Sequence, residues 1–293
     1  MDTYPIQYNK DYYVVVGNAL IKGKQTMTLR ESILLHIAIS QVLAEDEDLK
    51  TYTTSVTELA AFMGINKNSL YRDLESICES LRSRNIKIKV GEGRTAKWKV
   101  FGWISSASYA DGFLTLRLSD EIKPYIIGLK LKNYYSQSVL GVLLSFNKYY
   151  SVRLYQYLWA DYGEHPKPID YWEFTIDEIR ELFQTGKKYS HIKMLIKKTI
   201  LSALEELSES DYTAVWGYQE HHGSGKGSPL EKVSFHMRFF NNAEEKKAFL
   251  EKGKFNEIEE KALPAGEPHK ASNIKEELLN LPIDMRPDEL QDL

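Results

Sequence analysis

The sequence contains a single cysteine, Cys78, among its 293 residues. One thiol excludes an intramolecular disulfide and any zinc site built from several cysteines of one chain. The N-terminus lacks the basic stretch and apolar run of a secretory signal, and no run of about 18 apolar residues occurs in the chain. These absences predict a cytoplasmic protein in a reducing compartment, with no membrane span.

The chain also has no excess of positive charge. Its 38 Lys and Arg residues stand against 41 Asp and Glu residues, a net charge of −3. This balance excludes a histone-like protein that binds nucleic acid through bulk charge. Much of the acidity lies from position 241 onward, where 13 acidic residues accompany eight basic ones. Any contact with nucleic acid must therefore come from a local basic patch.

The segment 175–207 predicts two helices separated by a tight turn. The first helix should run from about Asp177 to Phe183. Apolar residues then recur three and four positions apart, which predicts a second helix with one face toward a core. This stripe consists of Ile192, Leu195, Ile196, Thr199, Ile200, Ala203, Leu204 and Leu207.

Five lysines lie off this stripe, within twelve residues that contain no acid. In a helix-turn-helix the second helix enters the DNA major groove with its N-terminal residues toward the base edges, and lysines neutralise phosphates. The alternative is a solvated helix face whose lysines only keep the domain soluble. The candidate DNA-binding residues here are Lys187, Lys188, Tyr189, Ser190, His191, Lys193, Met194, Lys197 and Lys198, with Lys226 in the hairpin loop that follows.

The segment 53–85 predicts a second copy of this helix-turn-helix, with Thr57 as the first cap and Gly64 in the turn. Leucine and isoleucine form the core stripe of its second helix, and Cys78 beside them should be a small core residue rather than a reactive thiol. The candidate DNA-binding residues at its N-terminal turn are Lys67, Asn68, Ser69 and Arg72. The acids Asp73, Glu75 and Glu79 weaken this prediction.

Each helix-turn-helix is followed by a predicted β-hairpin, and that combination is a winged helix. The first hairpin pairs 86–90 with 97–104, and the second pairs 212–220 with 230–239. Arg94 and Lys97 belong to a basic first wing, together with Lys87, Lys89 and Lys99; solvent-facing strand lysines are the alternative. The repeated order predicts an α+β fold of two tandem winged-helix domains.

Three regions follow from this reading. Residues 1–127 should form an N-terminal winged-helix domain, since polar residues and a tyrosine pair at 128–138 are typical of a hinge. Residues 128–240 should form a C-terminal winged-helix domain that is the main DNA reader. Residues 241–293 should form an acidic, partly disordered tail with spaced prolines, either featureless or carrying a docking segment around Leu278.

The stretch HHGSGKGSP between the last two strands suggests enzymatic alternatives. A phosphate-binding loop is excluded because these glycines join two strands without the required spacing. A metal-dependent nicking enzyme would need two histidines on one strand face, whereas His221 and His222 are adjacent; they could still join His236 at a metal. We therefore expect no catalysis, no metal and no cofactor, with a nicking initiator as the remaining enzymatic alternative.

Several segments in this order resemble the replication initiator (Rep) proteins of theta-replicating, iteron-bearing plasmids. They are VVVGNALIKGKQTMTLRESILLHIAISQV, TELAAFMGINKNSLYRDLESICESLRSRNIKI, SVRLYQYLW, TIDEIRELF and KKYSHIKMLIKKTILSALEELSE, with a hairpin ending VSFHMRF. The resemblance spans residues 12–240, and its most specific part is the helix around Arg153, Leu154 and Tyr155.

The resemblance implies a protein that binds direct repeats in double-stranded origin DNA, helps to open an AT-rich region and recruits host replication proteins. It also implies a homodimer, formed through the first winged helix, that represses its own gene. The second winged helix would read bases through the segment from Lys188 to Lys197, and the first would make an auxiliary contact through Asn68, Ser69, Arg72 and the Arg94 wing. A double winged-helix transcriptional regulator is the binding-class alternative.

Overall fold

The computed structural model describes residues 2–90, 96–129, 134–224 and 227–252. The chain has an α+β fold and divides into two units, with the division inside one helix, Tyr149–Glu164. The first unit takes the chain up to Val152 together with Gln156–Ala160, and the second takes Arg153–Tyr155 and the chain from Asp161 onward. Among the described residues, no helix has both the length and the apolar content needed to cross a bilayer.

The first unit contains five complete helices among the described residues: α1 (Asn18–Lys22), α2 (Leu29–Ile39), α3 (Val56–Phe62), α4 (Lys67–Ser83) and α5 (Leu140–Ser145). Helix α6 (Tyr149–Glu164) follows them. Helix α2 begins with a capping box, in which the Thr28 hydroxyl accepts from the Glu31 amide and the Glu31 carboxylate accepts from the Thr28 amide. A threonine followed three residues later by a glutamate predicts such a capping box from the sequence, and the structure confirms it.

Helices α3 and α4 form the first helix-turn-helix. Ser55 caps α3 by accepting from the Glu58 amide at 3.2 Å, so the predicted cap Thr57 is wrong; it lies inside the first turn. Gly64 has a φ of +67° and supplies the left-handed residue that ends α3. Asn66 caps α4, whose buried stripe matches the prediction: Leu70, Leu74, Ile77 and Leu81.

A four-stranded sheet and a hairpin accompany these helices. The sheet contains β1 (Thr3–Pro5), β3 (Thr51–Ser55), β6 (Ile104–Ala110) and β7 (Phe113–Leu118), in the order β1-β3-β7-β6. The hairpin pairs β4 (Asn85–Val90) with β5 (Lys97–Gly102) in antiparallel register. The predicted strand 97–104 therefore ends at Gly102, and a separate strand begins at Ile104.

A strand lies where the sequence predicts a hinge. Strand β8 (Tyr135–Val139) pairs antiparallel with β2 (Tyr13–Gly17), with Val15 opposite Gln137. Because this pairing ties 135–139 to the start of the chain, the division between the units falls later than the predicted boundary at residue 128.

The second unit contains the second helix-turn-helix and a three-stranded sheet. Its strands are β9 (Tyr171–Thr175), β10 (Thr213–His222) and β11 (Leu230–Phe239), in the order β10-β11-β9. Its helices are α7 (Ile176–Leu182), α8 (Ile192–Ile196) and α9 (Ser202–Glu209), with a π-helical segment, Lys197–Leu201, between the last two. Helix α10 (Ala243–Glu251) follows the sheet, and the rest of the predicted acidic tail lies outside the described residues.

Helix α10 is held against the hairpin of this unit. The ring of Phe249 lies 5.7 Å from Trp216 and 5.3 Å from Phe240, measured between centroids. The Lys246 ammonium donates to the carbonyls of Ser208 and Ser210, each at 2.7 Å, at the C-terminal end of α9. A cation is favourable there because the last carbonyls of a helix carry partial negative charge.

His36 is buried on α2 in the first unit. Burial lowers the pKa of its imidazole to about 4, and a hydrogen bond with Gln156 offsets only part of that shift. An unfolded histidine has a pKa near 6.5, so the unfolded state binds the extra proton first as the pH falls. The stabilising effect of the neutral ring is complete above pH 6.5 and is lost between pH 6.5 and 4.

We predict that lowering the pH from 7 to 5 costs about 2 kcal/mol of unfolding free energy through His36 alone. Urea denaturation at both pH values measures this cost as the difference between the wild type and His36→Gln, which has no imidazole to protonate. Equal losses of unfolding free energy in the two proteins would contradict the assignment.

Candidate nucleic-acid interface

The second helix-turn-helix starts from a well-capped helix. The Thr175 hydroxyl accepts from the Glu178 amide at 3.2 Å, and the Glu178 carboxylate accepts from the Thr175 amide at 2.8 Å. Ile179 and Leu182 of α7 are buried, as is Phe183 directly after it. Helix α7 therefore has a fixed start and a fixed core face.

Arg153 anchors the end of α7. Its side chain is buried, and its Nε donates to the Leu182 carbonyl at 3.3 Å. The last carbonyls of a helix lack intrahelical partners and favour a cationic donor. Next to it, buried Tyr155 packs edge-on against Phe239 of β11, with centroids 5.7 Å apart. This part of the SVRLYQYLW motif thus positions the helix-turn-helix from inside the unit.

The turn between α7 and α8 is fastened by Arg180. Its guanidinium donates to the carbonyls of Gly186 at 3.2 Å, Lys188 at 3.4 Å and Tyr189 at 3.1 Å. Gly186 and Tyr189 both have positive φ, 53° and 59°. Tyr189 is not glycine, so this conformation is strained and needs support from its surroundings. Three charge-assisted hydrogen bonds from one side chain provide that support.

The turn held by Arg180, which we call the Arg180 clamp, also carries two lysines. Lys188 stands on the clamped turn with its ammonium 5.0 Å from the Tyr189 ring centroid, in a cation–π contact. Lys187 and Lys188 are exposed, and Tyr189 is half-buried. The turn therefore offers two cations with a backbone that is already ordered.

We call the residues 192–209 the reading helix; it comprises α8, the π segment and α9. Seven of the eight residues of the predicted stripe are buried: Leu195, Ile196, Thr199, Ile200, Ala203, Leu204 and Leu207. The eighth, Ile192 at the start of the helix, is half-buried. Within each of two rows, the buried residues are four positions apart. Such a row shifts gradually around an α-helix, because the helix has 3.6 residues per turn. The π segment has wider turns and offsets this drift. At its centre the Thr199 hydroxyl donates to the Leu195 carbonyl at 2.7 Å.

Because the stripe faces the core, the lysines face solvent. Lys193, Lys197 and Lys198 are exposed, and so are Ser190, His191 and Met194. With Lys187 and Lys188 of the turn, the three lysines form what we call the lysine face. No lysine of this face forms an ion pair with a described residue, whereas Lys232 in the same unit pairs with Glu173 at 2.8 Å.

The charge order of the reading helix is opposite to the order that a helix dipole favours. Its first turn contains no acid and carries Lys193, while exposed Glu205 and Glu209 lie near its C-terminus. Each misplaced charge costs about 0.3–1 kcal/mol, and like charges four residues apart, such as Lys193 and Lys197, add a smaller repulsion. Helix α7 has the favourable order, with Asp177 and Glu178 first. An anionic partner at the N-terminal end would remove this cost.

The histidines of the second hairpin have ordinary partners. His221 Nε2 lies 2.7 Å from the Ser234 hydroxyl, and His222 Nδ1 lies 2.8 Å from the Ser228 carbonyl. The His236 ring is stacked on Trp216 with centroids 5.5 Å apart. Within the described ranges, no group of His, Cys, Asp and Glu is arranged to hold a metal. Lys226, which was predicted to contact DNA, lies outside the described residues.

The corresponding surface of the first unit is largely neutralised. Asp73 binds Arg72 at 2.8 Å and Arg30 at 2.6 Å, and Ser69 accepts from Arg30 at 3.2 Å. Lys67 and Asn68 are exposed at the start of α4. The predicted residues of this helix thus come together, but two of the four are engaged in hydrogen bonds within the unit.

The remaining predicted residues lie on the first hairpin. Lys97 is exposed on β5, and Arg94 lies outside the described residues. Cys78 is half-buried on α4, and burial raises the pKa of its thiol to about 11. A thiol with this pKa is protonated at neutral pH and is a poor nucleophile.

Arg180 belongs to the candidate interface through its hold on the turn, and the sequence did not indicate it. In the sequence it is one more charged residue on a short helix. Its partners are backbone carbonyls, and their positions become known only when the turn is folded. Arg153 was noted in a motif, but its role as an anchor needed the structure. A lone arginine in the apolar part of a helix is the one signal that could have pointed to a buried role.

Two winged helices, one of which carries the lysine face, place this chain in the class of winged-helix DNA-binding proteins. Two family models match the chain: Initiator Replication protein, WH1, over residues 13–159, and Initiator Rep protein, WH2, over residues 175–236. The chain therefore belongs to the initiator replication (Rep) protein family.

Similarity to individual proteins agrees with this family. A replication initiation protein of Escherichia coli is 26% identical over 186 residues, covering 62% of this chain and 57% of that protein. The chain thus spans a little over half of the length of this relative. A crystal structure titled as the Pi initiator protein in complex with iteron DNA is 18% identical, with a TM-score of 0.63, and the match covers 80% of this chain and all of that one. At this identity the likeness shows a shared fold.

We predict that Lys193→Ala weakens binding to specific and shuffled duplexes alike and reduces the slope of log K against log salt by about one unit. The reason is that one phosphate contact is lost. The control is Lys247→Ala, which removes the same charge from exposed α10 in the same unit. Titrations at three salt concentrations measure both slopes, and an unchanged slope for Lys193→Ala would count against phosphate contact.

We predict that Arg180→Lys weakens specific binding about tenfold, because an ammonium cannot span three carbonyls and the turn must be ordered on binding. The charge is kept, so the salt slope should stay the same. Thermal unfolding of the variant measures how much stability is lost with these hydrogen bonds, since Arg180 is half-buried and supports the turn. Specific affinity equal to that of the wild type would show that the clamp does not matter for reading DNA.

Proposed function

We propose that this protein is a plasmid replication initiator that binds direct repeats in duplex DNA at its origin, with the second unit as the main reader. The observation that carries the proposal is the reversed charge order of the reading helix, with lysines at its N-terminal end that form no ion pair with any described residue. Such an arrangement is unfavourable for the isolated helix and favourable next to phosphates. Family membership and the iteron complex of the Pi initiator support the same conclusion.

In the proposed complex the N-terminal part of the reading helix enters the major groove. The lysine face neutralises phosphates and supplies affinity that does not depend on sequence. Ser190 and His191 supply hydrogen bonds to base edges, and exposed Met194 supplies an apolar contact, for example to a thymine methyl group. The Arg180 clamp keeps the turn in its binding conformation.

The finer functions follow from the family resemblance and are part of the proposal. They are opening of an AT-rich region, recruitment of host replication proteins, and repression of the protein's own gene by a homodimer. We also propose that the protein acts in the cytoplasm without catalysis, metal or cofactor. A transcriptional regulator with the same two winged helices would bind repeats in the same way but would not open DNA.

The test is a titration of purified protein against duplex DNA from the flank of its own gene, beside a shuffled duplex, at two salt concentrations. We expect a preference of about a thousandfold for the flank, with a steep salt dependence. Permanganate footprinting on a supercoiled plasmid carrying that flank then separates an initiator from a regulator, since only an initiator should expose unpaired thymines. Equal, weak binding to both duplexes would refute the proposal.

A further inference from the structure

The first hairpin has one face that the core holds in place. Ile86 and Ile88 of β4 are buried, and Phe101 of β5 stacks on Tyr125 with centroids 5.8 Å apart. The outer edge of β4 is also bonded, because the backbones of Lys24 and Lys87 exchange two hydrogen bonds of 2.9 Å. The hairpin is therefore fixed to the first unit, and its opposite face has a defined direction.

That opposite face is basic and apolar at once. Lys87 pairs with Val100 and Lys89 with Trp98 in the antiparallel register, so these four side chains share one side. We call them the wing face. Trp98 is 65% exposed and Val100 is 47% exposed, and the Lys87 ammonium lies 5.5 Å from the indole centroid. An indole left this open to water is costly unless a partner covers it.

The charges of the wing face are available to a partner. Neither Lys87 nor Lys89 forms an ion pair with a residue that the structure describes, and the same holds for Lys97 and Lys99 on the adjoining strand. Protein–protein interfaces are depleted in lysine and aromatic-rich at their centres. A tryptophan between lysines therefore fits a nucleic-acid backbone better than a protein surface.

Helix α4 offers the weaker contact of the two. Asp73 pairs with both Arg72 and Arg30, and Glu75 and Glu79 are exposed further along the helix. Phosphates approaching along this helix would meet carboxylates. On the hairpin they would meet lysines without a single acid among the described residues of β4 and β5.

We propose that the first unit contacts duplex DNA through the wing face, with Trp98 packed against the sugar–phosphate backbone, and not through α4. Lys87 and Lys89, on the neighbouring strand, neutralise phosphates beside the indole, and Val100 extends the apolar contact toward the deoxyriboses. This inference rests on the proposed function, because it assigns a second contact on the same duplex. It reverses the role that helix-turn-helix geometry alone assigns to Ser69 and Arg72.

The experiment is a titration of full-length variants against the flank duplex and the shuffled duplex, by fluorescence anisotropy of labelled DNA. Trp98→Ala should weaken binding to the flank duplex about tenfold, and Trp98→Phe should recover most of that loss, since a ring still covers the sugars. The double variant Lys87→Ala and Lys89→Ala should reduce the salt slope by about two units. Arg72→Ala should change affinity less than twofold.

Tyr109→Ala is the matched control, because Tyr109 is an aromatic residue of the same unit and is 53% exposed. Tyr109→Ala should bind both duplexes like the wild type. Thermal unfolding of every variant shows whether that variant is folded. If Trp98→Ala bound DNA as tightly as the wild type while Arg72→Ala bound it more weakly, the inference would be overturned and α4 would again be the expected contact.

Sedimentation of the same variants without DNA tests the remaining possibility, which is that a second copy of the protein binds the wing face. If Trp98→Ala alters self-association while DNA affinity stays unchanged, the wing face is a protein interface and the inference is wrong. Failure of the wild type to prefer the flank duplex is a different result, since it refutes the proposed function before any variant is compared.

Discussion

Burial of one face of the reading helix is the constraint on which the lysine face depends. Leu195, Ile196 and Ile200 are fully withdrawn from water, which fixes the rotation of the helix about its own axis. Lysines that lie off this stripe then have no position except the solvent side. The π segment keeps rows of four-residue spacing on one face, so the apolar contact persists along the helix and Lys193, Lys197 and Lys198 stay on the solvent side. Arg153 and Arg180 extend this order to the preceding helix and turn.

The two units use the same order of elements with different electrostatics. In the first unit, an aspartate on α4 binds two arginines, and the hairpin carries lysines that have no ion pair with a described residue. In the second, the unpaired cations lie at the start of the reading helix, against the preference of its dipole. A winged helix therefore specifies where contacts can form, and the charge pattern decides which of its surfaces makes them.

Local signals in the sequence were reliable where the physics is local. Examples are the capping box of Thr28 and Glu31, the positive φ of Gly64 and the buried stripe of α4. Each of them depends on residues that are close together in the chain. The strands β1, β3 and β9 were missed because each is defined by pairing with a strand far away in the chain. Strand β8 was read as a hinge for the same reason, since its partner β2 lies at the other end of the unit.

The sequence by itself determined the two helix-turn-helix units, the hairpins and the solvent position of the lysines on the reading helix, because hydrophobic periodicity decides which face is buried. Only the tertiary structure decided which charges remain unpaired, since Asp73 meets Arg30 from another helix and Lys232 meets Glu173 from another strand. It also decided that Arg180 holds a strained turn and that Trp98 stands exposed between lysines. Pairing, clamping and exposure depend on distances between residues far apart in the chain, and periodicity carries no information about such distances.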